Sequence, residues 1–292
     1  MAVEAQSKLA EQLEQIVLAK IAADKLILPP LPPVALKLIS LLRDPDFSTR
    51  KVVSTLEQDP LLAAKVLRSA NSAAHATAGP VKSIEAAFTR LGGQKVKAVL
   101  VESSAKKIFE SRDPEIAAAF TSIWEHSVAV GLMTRDLIAL TAGAEQMDAG
   151  YLAGLLHDVG KPLMGAVLLD AEKGLERNRD IVWMKSDIWL DAVSRTHRKV
   201  GVALAEKWKL PEDIIHAIKD CSDYDSVNRN SLANYVRFCN AAVKRLGIYP
   251  GNVDKDDAEA LVMIGRSLLG LNDEILGKIS SGLAERVKQS GA

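Results

Sequence analysis

The chain has 292 residues, enough for one large domain or two smaller ones with a substantial buried core. Apolar residues make up 48% of it and aromatic residues only 4%, a mixture that suits closely packed helices better than a sheet protein. The 37 basic and 37 acidic residues balance, which excludes a global field that would attract nucleic acid or an anionic membrane.

Cysteine content and hydropathy indicate where such a protein works. The two cysteines, Cys221 and Cys239, have neither a metal-finger spacing nor the pattern of a secreted disulfide scaffold. No apolar run reaches the roughly 18 residues that a membrane-spanning helix needs. We therefore expect a cytoplasmic protein that has no membrane segment.

The first third of the chain shows helical periodicity throughout. Residues 1–27 are predicted to form an amphipathic helix, which the prolines of Leu28–Pro33 end. Short helices are then predicted from Val34 to Phe109, and Gly92-Gly93 are predicted to stop one of them. Since no strand alternation interrupts this pattern, residues 28–113 are predicted to form one helical subdomain.

A long helix is predicted from Pro114 to Leu140, followed by another from Gln146 to His157. The inward stripe of the first helix has spacings of three and four and reads Ile116, Ala119, Ile123, His126, Val130, Met133 and Leu137. The second helix places Gly150 and Gly154 on the same side as His157, and such small residues allow a neighbouring helix to approach closely. His126 and His157 are therefore expected to face each other.

The rest of the chain, residues 114–292, is predicted to form a second helical subdomain. His197 is expected to begin a helix, and the region from Trp183 to Ser194 is ambiguous. Four more helices are predicted at Pro211–Asp220, Ser231–Leu246, Asp256–Leu269 and Asn272–Lys288.

The adjacent pair His157-Asp158 closes an apolar helix and is followed by Gly160-Lys161. A neutral imidazole and a carboxylate both bind divalent cations, and side by side at a helix end they can reach one ion. A second interpretation stays open for this pair and for His126, in which hydrogen bonds alone satisfy the buried groups.

Two blocks of the sequence resemble the HDOD domains, which are related to the HD and HD-GYP phosphohydrolases. The first block contains a turn at Asp59-Pro60, a helix end at Asn71-Ser72 and a helix from Ser83 to Gly92. The second contains the segments Trp124–Ser127, Ala153–Lys161, Thr196–Gly201 and Trp208–Pro211. The resemblance implies an all-α fold, in which an N-terminal helical bundle packs on a degenerate HD-type helical bundle.

The same resemblance implies the site residues. The metal ligands would be His126, His157, Asp158 and His197, and Lys161 would contact the phosphate of a bound ligand. Cys221 and Ser222 stand where relatives often carry a histidine pair, and Asn240 stands where the enzymes carry a closing aspartate. An amide is a weak neutral donor, so a hydrolytic two-metal centre is incomplete in this sequence.

We therefore expect a non-catalytic signalling module that acts through contacts with other signalling proteins. It would need no cofactor, and a divalent metal, a nucleotide or a cyclic dinucleotide are the candidate ligands of its pocket. The alternative is a divergent metal-dependent phosphohydrolase that acts on a nucleotide or cyclic dinucleotide. Direct binding of nucleic acid is disfavoured, because no recognition helix or aromatic stacking platform accompanies the basic residues.

Overall fold

The structure is a computed structural model. It describes residues 15, 17–23, 28–72, 79–111, 114–175, 186–221, 223–249 and 253–290, with the backbone alone for 114–116, 168–175, 186–192 and 194–195. The prediction of an N-terminal helix falls mostly outside these ranges, although residues 17–22 are helical.

The described residues form helices and connecting turns without a strand, which confirms the all-α fold class. In chain order the helices are α1 (Pro33–Leu41), α2 (Thr49–Leu56), α3 (Pro60–Ala70), α4 (Ile84–Lys106), α5 (Pro114–Thr141), α6 (Met147–Leu156), α7 (Gly160–Leu175), α8 (Ser186–Lys207), α9 (Glu212–Asp220), α10 (Leu232–Arg245), α11 (Lys255–Leu269), α12 (Asp273–Ser280) and α13 (Leu283–Gln289).

Polar residues at the ends of α3 account for much of the first sequence block. The Asp59 carboxylate accepts hydrogen bonds from the backbone N–H groups of Leu61 and Leu62 at 3.0 and 3.1 Å, and so caps the helix. At the other end, the Asn71 side chain forms two hydrogen bonds with the backbone of Val81, at 2.7 and 2.9 Å. These residues thus set the helix start and hold the chain that returns towards α4.

Helix α4 contributes to both hydrophobic clusters of the described core. It bends at Gly92, where a φ of 74° puts the backbone in the left-handed region that favours glycine. The predicted break is therefore real, but a second helical segment follows at once. Beyond the bend, Val96 and Leu100 belong to the N-terminal cluster, which is formed by apolar residues of α1 to α4. Ala98 and Val101 belong to the larger C-terminal cluster, most of whose members follow residue 113.

Helices α5 and α6 pack closely through glycines. A Cβ atom on Gly154 would lie 2.8 Å from the Cα of Gly131 and 2.9 Å from the carbonyl oxygen of Val130. The predicted close approach at Gly154 is confirmed, and it brings the end of α6 against the middle of α5. Within the predicted stripe of α5, Ala119 is exposed, and the side chain of Ile116 lies outside the described residues.

Two helix boundaries differ from prediction. His197 does not begin a helix, because α8 already starts at Ser186; the weak periodicity of that segment hid the earlier turns. The single helix predicted over Asn272–Lys288 is two helices, α12 and α13, because Gly282 adopts a φ of 63° between them. In the described part of the chain, no helix is both long and apolar enough to span a bilayer.

Candidate metal centre and its surroundings

The four predicted ligands come from three places in the chain after residue 113. His126 lies in the middle of α5, His157 and Asp158 directly follow α6, and His197 lies in α8. All four side chains are buried. The His126 and His157 rings lie 5.4 Å apart between centroids, so these two histidines do face each other across the α5–α6 contact.

Close contact between backbones places His197 beside this pair. Gly160, the first residue of α7, lies so near α8 that a Cβ atom there would overlap the carbonyl oxygen of His197. Only glycine permits this approach without displacing a helix. The glycine that follows the His-Asp pair in the sequence therefore has a structural role, because it lets α8 reach the site.

Backbone carbonyls orient all three imidazole rings in the same way. The Nδ1–H groups of His126, His157 and His197 donate hydrogen bonds to the carbonyls of Ile248, Gly154 and Val193, at 2.7, 2.7 and 2.9 Å. Since a carbonyl can only accept, each neutral ring carries its hydrogen on Nδ1, which leaves a lone pair on Nε2. This is the orientation that metal-binding histidines typically show.

The three Nε2 atoms converge on one carboxylate. Asp158 Oδ2 lies 3.3 Å from Nε2 of His157 and 3.9 Å from Nε2 of His126, and Oδ1 lies 3.3 Å from Nε2 of His197. With neutral rings, all of these atoms are hydrogen-bond acceptors, and the buried Nε2 of His157 has no hydrogen-bond partner. A cluster of acceptors facing one another needs a cation among them, whether a protonated ring, an ammonium group or a metal ion.

Lys161 supplies one such cation. Its Nζ lies 2.5 Å from Asp158 Oδ2, and Lys161 itself is partly buried. Burial would raise the pKa of Asp158, but His157 and the Lys161 ammonium outweigh it and hold the pKa well below its usual value. Burial would likewise lower the pKa of Lys161, and the Asp158 charge outweighs it and raises that pKa. The two groups therefore form a charged ion pair.

His126 is held in the neutral form. Its burial lowers the pKa to about 3, with further lowering by the neighbouring His157 and Lys161. Nε2 lies 3.2 Å from Oδ1 of Asn240, the residue expected at the closing position, so the structure brings Asn240 into the site. Because Nε2 of the neutral ring carries a lone pair, it can only accept a hydrogen bond. The contact is therefore favourable when the Asn240 amide rotates to present its NH₂ group or when an ion lies between the two side chains.

The donor set fits one divalent cation. Ligand atoms of His126, His157 and Asp158 all lie within 4.8 Å of one another, and no other group of this kind occurs in the described part of the chain. Two imidazole nitrogens and a carboxylate suit an ion such as zinc, which would act as a Lewis acid. His197 lies outside this group of three and contacts the other oxygen of Asp158. Its assignment as a ligand of the same ion stays a prediction.

Some neighbours of the centre were not foreseen from the sequence. The ring of Tyr249 packs edge-on against His126 at 5.0 Å, and the ammonium groups of Lys161 and Lys244 lie 5.3 and 4.7 Å from its centre. An aromatic residue in a turn after a helix carries no signal for such a contact. Cys221 is buried and its thiol pKa is raised by burial, so the thiolate needed for a soft metal is disfavoured. Ser222 lies outside the described residues.

Comparison with proteins of known structure supports the helical architecture. A protein from Shewanella amazonensis, provisionally described as a metal-dependent phosphohydrolase, is 21% identical, with a TM-score of 0.74 over 97% of this chain and 99% of that one. An HDOD domain protein of unknown function from Geobacter sulfurreducens is 23% identical, with a TM-score of 0.61 over 98% of both chains. At these identities the likeness shows the fold alone.

Sequence comparisons identify the family. An uncharacterized protein from Treponema pallidum is 26% identical over 212 residues, which are 71% of this chain and 40% of that protein. The chain thus spans well under half the length of this relative. The model of the HDOD domain family matches residues 28–224, which include both sequence blocks and all four predicted ligands. The chain therefore belongs to the HDOD domain family.

Proposed function

We propose that this chain is a non-catalytic signalling module of the HDOD family that acts through contacts with other signalling proteins. The observation that carries the proposal is the charge distribution of the centre. Asp158 is the single carboxylate in the described group of candidate ligands, and Lys161 already neutralises it. Asn240 adds no charge at the position where an enzyme would supply a second carboxylate.

This charge distribution disfavours hydrolysis on physical grounds. A metal ion that catalyses hydrolysis must be held tightly and must lower the pKa of its bound water. How far that pKa falls depends on the ion and on its ligands. Two divalent ions would bring four positive charges to one carboxylate that is already paired. The centre is better suited to hold α5, α6 and α8 together. A role in signalling also agrees with a solved structure from Marinobacter aquaeolei, 23% identical with a TM-score of 0.56, which is provisionally described as a signal transduction protein.

Metal analysis and turnover assays test this proposal. Protein purified without chelators is analysed for bound metal, and then incubated with nucleotides and cyclic dinucleotides in the presence of magnesium, manganese or zinc. We expect no metal-dependent hydrolysis by the native chain. Metal-dependent hydrolysis that disappears in His157→Ala would overturn the proposal, and Ala149→Ser, at a neighbouring α6 position outside the site, serves as the control variant.

A second function keeps specific support. The buried Nε2 of His157 has no hydrogen-bond partner, and ligand atoms from three residues cluster within 4.8 Å. Both features are expected of a metal-dependent phosphohydrolase that acts on a nucleotide or cyclic dinucleotide. If this alternative is correct, Asn240→Asp, which adds the missing carboxylate, should raise both metal content and turnover.

Partner and location are parts of the same proposal. Affinity capture from the native cell, with the full chain as bait, should recover a signalling protein rather than nucleic acid. A cytoplasmic location agrees with the two buried free cysteines and with the membrane finding above. Detection of the protein in the soluble cell fraction would test it.

A further inference from the structure

A cavity of about 280 Å³ adjoins the His-Asp centre on the side of Asn240. Its charged lining consists of three cations, Arg198, Arg237 and Lys244, and two anions, Asp254 and Asp257. Asn240 lies in the cavity wall and also touches His126, so the cavity and the centre share a side chain. Tyr249, which packs on His126, forms another part of the wall.

The cations of this cavity are not neutralised by the acids. Within the part of the chain that the structure describes, no carboxylate oxygen lies within 4.0 Å of a nitrogen of Arg198, Arg237 or Lys244. Asp254 is engaged elsewhere, because its carboxylate caps α11 by accepting the backbone N–H groups of Asp256 and Asp257, each at 3.0 Å. The lining therefore offers more unpaired positive than negative charge.

Two buried donors in this lining also lack acceptors. The Nε atoms of Arg198 and Arg237 are inaccessible to solvent and form no hydrogen bond, although Nη1 of Arg237 donates to the carbonyl of Cys221 at 3.1 Å. Leaving a guanidinium N–H buried and unpaired is unfavourable, and such a group in a native protein calls for an explanation. A bound oxyanion would supply acceptors to the two guanidinium groups that line the cavity, because guanidinium groups match its geometry.

The arrangement of the cations indicates the same. Burial lowers the pKa of Lys244, and repulsion by Lys161 and Arg198 lowers it further, while attraction by Asp158 and Asp257 opposes this in part. Cations that are crowded together in this way are relieved when an anion binds among them. The cavity volume lies just below the roughly 300–1,000 Å³ typical of small-molecule pockets, so the ligand must be small.

We propose that this cavity binds the phosphate group of a small phosphomonoester through Arg198, Arg237 and Lys244. The inference extends the proposed function, because it names the class of ligand that such a module would sense beside its His-Asp centre. Ligand binding here would act on Asn240 and Tyr249, and through them on His126 in α5. A cyclic dinucleotide is too large to be enclosed in the cavity.

Binding of inorganic phosphate to the full chain tests the proposal. Thermal unfolding is followed while sodium phosphate is titrated against sodium chloride at matched ionic strength, and ³¹P NMR line broadening provides a direct measure of binding. We expect saturable stabilisation by millimolar phosphate. Adenosine 5′-monophosphate should stabilise as well, and adenosine should not. A response to free phosphate without one to adenosine 5′-monophosphate would overturn the assignment of a phosphomonoester.

Variants connect the effect to the cavity. Arg198→Gln and Lys244→Gln should each weaken phosphate binding about tenfold or more, since each removes a charged hydrogen-bond donor. Lys207→Gln, which removes an exposed charge from the same helix as Arg198, should leave the affinity unchanged. Asn240→Asp should weaken it as well, because the new carboxylate repels the anion.

Clear outcomes would overturn this inference. Absence of saturable binding to the native chain, or equal binding by native protein, Arg198→Gln and Lys244→Gln, would do so. Circular dichroism establishes that each variant is folded, and Arg198→Lys, which keeps the charge, serves if Arg198→Gln does not fold. Inorganic phosphate has no ester bond to cleave, so the result does not depend on whether the centre is catalytic.

Discussion

Asp158 receives contacts from four residues of the centre. His126, His157 and His197 turn their Nε2 atoms towards it, and Lys161 forms an ion pair with one of its oxygens. The residue is 3% exposed, so this pair is shielded from water and from salt. These four contacts could orient the ligands of a metal site. They also hold three helices, α5, α7 and α8, against the turn that follows α6.

Removal of the Asp158 charge should destabilise the fold. In Asp158→Asn the Lys161 ammonium stays partly buried without its partner, and breaking a buried ion pair from one side typically costs about 3 kcal/mol or more. We expect a decrease of this size in the free energy of unfolding, measured by urea denaturation. The double variant Asp158→Asn, Lys161→Gln should recover part of the loss. Equal stability of Asp158→Asn and the native chain would show that the ion pair does not hold the fold.

Sequence alone predicted part of this centre. The spacing of small residues on α6 correctly predicted that His126 and His157 face each other, and the family resemblance correctly directed attention to Asn240. The sequence could not predict the acceptor of the His126 Nδ1–H group, because Ile248 lies 122 positions away in the chain. Contacts such as this one, and that of Tyr249, depend on how the final helices return to α5.

At the scale of helices, glycine contacts set how closely α5 and α6 pack. In Gly154→Ala the new Cβ would meet backbone atoms of α5 at 2.8–2.9 Å, which only a helix shift can relieve. We expect a loss of about 1–3 kcal/mol in the free energy of unfolding. The control is Gly277→Ala in α12, where a Cβ meets nothing within 4 Å, and which should gain about 0.5–1 kcal/mol. A neutral effect at Gly154 would contradict the close packing.

A second prediction concerns the contact between α4 and α6. Burial raises the pKa of Glu102 in α4, where the hydroxyl of Tyr151 in α6 is its hydrogen-bond partner. The folded chain therefore keeps its proton to higher pH than the unfolded chain does, and the free energy of unfolding falls as pH rises above about 4.5, the usual pKa.

Glu102→Gln should remove this pH dependence, because glutamine keeps an acceptor for Tyr151 and carries no charge. We expect the variant to be more stable than the native chain at neutral pH and to show a flatter stability profile above pH 4.5. Guanidinium denaturation at several pH values provides the measurement. The exposed Glu57→Gln is the matched control, and a profile for Glu102→Gln that parallels the native one would contradict the assignment.

Helix positions were largely predictable, whereas some helix ends were not. Ser83, whose side chain accepts the backbone N–H of Ala86 at 3.2 Å and so caps α4, is one local signal that the structure follows. The prolines at the helix starts and the α4 bend at Gly92 are others. The early start of α8 and the division between α12 and α13 depend on weaker signals. Gly282 in particular lies inside the single helix predicted over Asn272–Lys288, and its left-handed conformation shows that it separates two helices.

At the scale of the whole molecule, α4 belongs to both hydrophobic clusters. The two subdomains predicted on either side of residue 113 therefore share a helix. The indole N–H of Trp208 adds a further connection, because it donates to the carbonyl of Pro29 at 2.9 Å across 179 positions. The division into residues 1–27, 28–113 and 114–292 stays a prediction about sequence segments. The shared helix leads us to expect that the two subdomains unfold together.

Leu56→Ala tests this cooperativity. Leu56 is fully buried in the N-terminal cluster, and its truncation should cost about 2–5 kcal/mol. All four tryptophans, Trp124, Trp183, Trp189 and Trp208, follow residue 113, so their fluorescence reports on the C-terminal part. We expect the fluorescence and circular dichroism transitions to shift together in urea. A fluorescence midpoint that stays in place while helicity is lost earlier would show independent subdomains.

The contact between Asn240 and His126 has a consequence for the history of this protein. Asparagine and aspartate codons differ at a single base, so one point mutation in the gene can exchange a neutral residue for a carboxylate about 3.2 Å from Nε2 of His126, a candidate ligand atom. Relatives in which this position alternates between the two residues would then differ in what they bind while keeping the same helices. Gain and loss of an ion at this centre would be an easily reversible step in evolution.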